Sequence, residues 1–112
     1  MKGNYMRAAA VVGLILALCA GIAGYAQSGP APVEVKIDNF TFAPAELKVP
    51  VGTTVTWING DDIPHTVVST DKVFKSKVLD SEEKYSFTFT TAGSYPYFCS
   101  IHPKMTGKVI VQ

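Results

Sequence analysis

TVTWING, Thr54 to Gly60, is the stretch that decides how this chain folds. It alternates with a period of two, so Val55 and Trp57 share one face, as in a half-buried strand. It then stops at Asn59-Gly60, a strong turn signal. The same grammar runs outward in both directions. Upstream, VEVKI (33–37) puts Val33, Val35 and Ile37 on one face, and AELKV (45–49) does so for Leu47 and Val49. Pro50, Val51 and Gly52 make the turn between that segment and Trp57's strand. Downstream, HTVVS (65–69) reads as a short strand, and KYSFTFT (84–90) aligns Tyr85, Phe87 and Phe89. Gly93 turns the chain into SYPYFC, and GKVIVQ (107–112) closes it. KVFKSKVLDSEE (72–83) shows no clean period and is expected to cover one edge. Seven to eight short strands with turns between them predict an all-β fold, a Greek-key antiparallel β-sandwich. Trp57, Phe87 and Phe89 are expected to fill the space between its sheets.

The chain has 112 residues, enough for one domain. Its net charge of +1 does not suggest a nucleic-acid binder. Lys2 and Arg7 precede AAAVVGLILALCAGIAG (8–24), and Gly24 and Ala26 sit where an export signal is cut. The reading is a signal peptide over residues 1–26, a flexible tether over 27–32 and one domain over 33–112. A periplasmic or otherwise exported protein is expected. The alternative is an uncleaved anchor, the one case in which a membrane would be involved. Lipidation at Cys19 is disfavoured because Leu18 stands where a small residue is wanted. After cleavage, Cys99 is the sole cysteine, so no internal disulfide can form. A domain this small in an oxidising compartment usually leans on disulfides or a metal. A lone exported thiol is buried, paired between chains, or occupied.

The stretch YPYFCSIHPKM (95–105) favours occupation. His102 follows Cys99 by three residues, and Met105 follows His102 by three. The only other histidine, His65, lies in DDIPHTVV (61–68) at the start of a strand. Two imidazoles and a thiolate with a weak thioether describe a blue-copper electron-transfer site. Zinc also takes Cys and His, but gains little from a thioether. Taken singly, a buried Cys, a hydrogen-bonding His and a core Met are ordinary. Together they must explain why both histidines and the lone thiol flank turns. A single mature Cys excludes a two-cysteine binuclear copper site, and two histidines are too few for a multicopper cluster. A copper chaperone or store would favour Met-rich or His-rich tracts. A metal-free interaction module would need no such ligand spacing.

ELKVPVGTTVTWING…PHTV and FTTAGSYPYFCSIHPKMTGKVIVQ resemble the cupredoxins, and among them most of all the amicyanins, over Val33–Gln112. The resemblance implies one type I copper ion held by His65, Cys99, His102 and Met105, in a monomeric electron carrier that is not an enzyme. It also implies a hydrogen bond from Asn59 to Ser100 that ties the two ligand loops together. Pro64 and Pro103 would stiffen the adjoining histidines by fixing φ. His102 would present its ring edge among Ile63, Pro64, Ile101 and Pro103, with Lys104 at the rim. Redox partner proteins would dock weakly on such a patch. The chain departs from amicyanins at Ile101, where they carry proline, and at Lys104, where they carry an aromatic residue. The dehydrogenase partner typical of amicyanins is therefore not carried over.

Overall fold

A computed structural model describes residues 29–112. The expected signal peptide and the first two residues of the tether lie outside the described residues. Eight strands follow in order: β1 (Val33–Asp38), β2 (Thr41–Ala43), β3 (Glu46–Val49), β4 (Thr53–Asn59), β5 (Val68–Ser69), β6 (Lys84–Phe89), β7 (Gly93–Phe98) and β8 (Thr106–Val111). They form two four-stranded sheets, ordered β2-β1-β4-β6 and β3-β8-β7-β5. The all-β sandwich expected from the alternation is what forms.

β4 is the clearest case of sequence becoming structure. Thr53, Val55, Trp57 and Asn59 are buried, while Thr54, Thr56 and Ile58 face partly outward. The period of two sends alternate side chains to opposite faces. On the outer face Thr54 and Thr56 hydrogen-bond across to Thr88 and Ser86 of β6, each at 2.7 Å. On the inner face Trp57 is fully buried and stands against Phe74, Tyr97 and Tyr85. Phe89 is 1% exposed, whereas Phe87 is only partly buried against the same cluster. Gly107 lies opposite Tyr97 in the β7–β8 register, and a Cβ there would overlap the Tyr97 ring.

One expectation needs correction. The sheets are mixed, because β1 runs parallel to β4 and β3 runs parallel to β8. The cause lies in the connections. Between β1 and β4 the chain visits the opposite sheet as β3, which takes up one reversal of direction. β4 therefore returns alongside β1 pointing the same way. Greek-key crossovers, unlike hairpins, permit this. The 72–83 segment is irregular as expected, bridging to Val68 of β5 through Lys75 and to the His65 loop through Leu79. It nonetheless sends Phe74 and Leu79 into the core.

This topology collects three connections at one end of the sandwich. They are the β1–β2 turn at Asn39-Phe40, the β4–β5 loop carrying His65, and the β7–β8 loop from Cys99 to Met105.

Candidate metal centre

The β7–β8 loop explains the spacing of three. His102 N–H donates to the Cys99 carbonyl at 3.2 Å, and Met105 N–H donates to the His102 carbonyl at 2.8 Å. Two successive i→i+3 turns bring side chains three apart to the same side. Cys99 N–H then donates to the Met105 carbonyl at 3.0 Å and closes the loop on itself. Pro103, with φ fixed, cannot loosen that second turn. Cys99 and Met105 are buried, and His102 is half-buried.

His65 arrives from the β4–β5 loop, three residues before β5. Its backbone pairs with Leu79 in both directions, at 3.1 and 2.8 Å, and its side chain is fully buried. Nδ1 of His65 lies 3.7 Å from Cys99 Sγ, and Nδ1 of His102 lies 3.6 Å from it. The three donor atoms fall within 4.8 Å of one another. Donors sharing one ion at about 2.1 Å for nitrogen and about 2.3 Å for sulfur, across a wide angle, stand roughly 3.7 Å apart. The spacing therefore fits a shared ion. Met105 joins His102 in lining a shallow groove with Phe40, Ile101, Pro103 and Lys104.

The thiol is prepared to be an anion. Thr66 N–H points at Cys99 Sγ from 3.3 Å, and the Thr66 hydroxyl lies 3.7 Å from it. Burial pushes the Cys99 thiol up. Hydrogen bonds to the sulfur, led by the Thr66 N–H, outweigh that push and bring it from 9.0 down to about 6. Thiolate absorbance of the metal-free protein should therefore appear with a midpoint near pH 6. Because the folded value is depressed, the thiolate's contribution to stability is present above pH 9 and is lost as pH falls through about 6. A midpoint near 9 in an ultraviolet titration would contradict this. Metal affinity should weaken over the same acid range, since the metal must displace a proton.

His65 is orientated by a carboxylate. Nε2 lies 2.8 Å from Asp61 Oδ2. An ionised carboxylate only accepts, so Nε2 carries the proton and the Nδ1 lone pair faces Cys99. Burial opposes ionisation of Asp61, but N–H groups of Phe40 and Asn39 and the His65 ring hold its carboxyl below the ordinary value.

All four sequence-predicted residues thus lie at the end of the sandwich where the three connections meet. The link assigned to Asn59 is different from expectation. Asn59 does not reach Ser100; its amide donates to the Ile63 and Leu79 carbonyls, both at 2.9 Å, and its Oδ1 accepts from Asp61 N–H. Asn59 is the last inward position of β4, so it faces its own loop. Thr66 makes the bond between the loops instead, accepting from Ser100 N–H at 2.7 Å. Sequence reading also missed Asp61 and Phe40. The available signal was the DDIPH run four residues wide of His65, and an aromatic residue in a two-residue turn.

Ile63, Ile101 and Phe40 are exposed by 36, 45 and 47%, and Pro64, Pro103 and Lys104 are exposed with them.

A family model described as a cupredoxin-like domain matches residues 8–111. The chain is 40% identical to amicyanin from Paracoccus denitrificans, over 78% of this chain and 70% of that protein. A purple cupredoxin from Nitrosopumilus maritimus superposes with a TM-score of 0.69 at 34% identity, covering 71% of this chain and 99% of that one. A Cu-containing nitrite reductase from Thermus scotoductus superposes with a TM-score of 0.70 at 37% identity, covering 76% of this chain but 23% of the larger one.

Proposed function

The chain belongs to the cupredoxin-like family, and from that premise we propose that it is a mononuclear type I copper protein carrying single electrons between redox partners. The observation that carries this reading is the convergence of His65 Nδ1, Cys99 Sγ and His102 Nδ1 around a buried, acidified thiol. His65, Cys99 and His102 would hold the ion, with Met105 as the weak fourth donor. Copper bound there supplies a one-electron Cu(I)/Cu(II) couple. The protein's part is to keep the donors still. The closed 99–105 loop, the Leu79 pairing of His65 and the Thr66–Ser100 bond all resist rearrangement when the charge changes.

Four protein donors leave no position for a substrate, so the reading is a carrier and not an enzyme. The nitrite reductase contains this fold within a chain several times longer. Partner proteins would dock weakly where Ile63, Pro64, Ile101 and Pro103 surround His102, with Lys104 steering an acidic surface. The N-terminal segment supports an exported carrier.

The test is the visible spectrum of the copper-loaded, oxidised protein. An intense thiolate-to-copper band with reversible redox cycling supports the reading, and its absence removes it. Met105→Leu should keep copper and raise the reduction potential, because a donor to Cu(II) is lost. Voltammetry decides this, and a variant unable to bind copper would show that Met105 holds the ion instead of tuning it.

A further inference from the structure

Between β1 and β2 the chain turns in two residues, with Asp38 paired to Thr41. Both turn residues are left-handed, Asn39 at φ 53° and Phe40 at φ 60°. Such a hairpin normally carries Asn-Gly, because only glycine takes the second position freely. Phe40 occupies it at a steric cost, and strain of that kind persists only where neighbours enforce it. The enforcing group is Asp61. Its Oδ1 accepts from Asn39 N–H at 2.7 Å, and its Oδ2 accepts from Phe40 N–H at 3.0 Å. The same Oδ2 accepts from His65 Nε2. Asp61 N–H is in turn anchored by Asn59.

The strained residue is also the one that meets both histidines. The Phe40 ring stands edge-on to His65, with centroids 5.5 Å apart at 90°, and to His102, at 5.0 Å and 89°. Phe40 is nearly half exposed, so core packing does not explain it.

We propose that the Asn39-Phe40 turn is a clamp on the two metal-binding histidines, with Asp61 the positioning residue that holds it shut. One carboxylate sets the His65 tautomer and seats the aromatic ring that braces His102. The clamp orders both imidazoles before the ion arrives. Its acceptor on Nε2–H also strengthens Nδ1 as a donor, which favours Cu(II) over Cu(I). This rests on the copper reading for its redox consequence, but not for its geometry.

Two variants and one measurement on the unaltered protein test it. Nitrogen-15 NMR of the metal-free protein should show His65 protonated on Nε2 alone. A His65 ring protonated on Nδ1 would overturn the proposal before any variant is made. Phe40→Gly should keep or raise the thermal midpoint, because glycine relieves the turn, while Cu(II) affinity falls about tenfold and the His102 ring resonances broaden. Asp61→Asn should mix the His65 tautomers and lower Cu(II) affinity about 10–100-fold, with Cu(I) affinity less affected, so the potential rises. If both variants keep Cu(II) affinity and ring signals and differ only in unfolding temperature, the turn is merely structural and the clamp is wrong. If the native protein takes copper without the intense band, the electron-carrier reading fails, and the tautomer measurement still decides the role of Asp61.

Discussion

Cys99→Ser is expected to fold and to lose the intense visible band completely. Cys99 is fully buried and lies at the start of the loop that its own N–H closes. None of the backbone bonds of that loop involves sulfur, so the sandwich and its turns survive. Serine is slightly smaller, and its hydroxyl can accept from Thr66 N–H as the sulfur does now. The folding cost should stay within about 1–2 kcal/mol. The electronic consequence is of another order. The thiol at position 99 is an anion near neutrality because hydrogen bonds to the sulfur, led by the Thr66 N–H, favour the charge. A serine hydroxyl stays neutral there, and a hard, neutral oxygen offers no electron for a visible charge-transfer transition. Far-UV circular dichroism should match the native protein, while the copper-loaded variant should be nearly colourless and bind the ion weakly. A variant that keeps the band would place the chromophore elsewhere and sink the assignment of Cys99.

The parts of this molecule that could be read from sequence are those where one residue type repeats at one period. β1, β4 and β6 run six or seven residues, long enough for alternation to declare itself. β2 has three residues, too few for the period to show, so Thr41–Ala43 had no signal of its own. Phe74 is an aromatic in a lysine-rich segment without periodicity. Its burial among Trp57, Phe87, Phe89 and Tyr97 is a tertiary fact. The donor set was legible because Cys, His and Met are rare here and their spacing of three matches consecutive turns. What orientates those donors was not legible. Asp61 meets Asn39 and Phe40 from more than twenty residues away, and such meetings depend on β1 lying beside β4. The misassigned Asn59 bond has the same origin. A side chain at the inward end of β4 reaches its own loop first, whereas Thr66 stands directly opposite Ser100.

Asn59→Ala is expected to destabilise the fold by about 2–3 kcal/mol, a large effect for a polar position. Asn59 is a fully buried polar residue at the end of the core strand. Its amide joins the Ile63 and Leu79 carbonyls, and its oxygen holds Asp61 N–H, so one side chain gathers three points of the His65 loop. Leu79 carbonyl keeps a second donor in His65 N–H, and Ile63 lies near solvent. Those two facts hold the cost below the sum of three stranded groups. Alanine also leaves a small void that the loop can enter, carrying Asp61 away from His65. Asn59→Asp discriminates between packing and hydrogen bonding. It preserves volume and the acceptor for Asp61 N–H, but it aims a buried charge at two carbonyls and stands near another carboxylate. At pH 7 the aspartate should therefore be less stable than the alanine, and the gap should narrow as acid neutralises the new carboxyl. Chemical denaturation of the metal-free proteins measures both differences. An aspartate variant as stable as the native protein would mean that volume, not the amide donors, is what position 59 contributes. In that case the hydrogen bonds to Ile63 and Leu79 would not be what steadies the loop of His65.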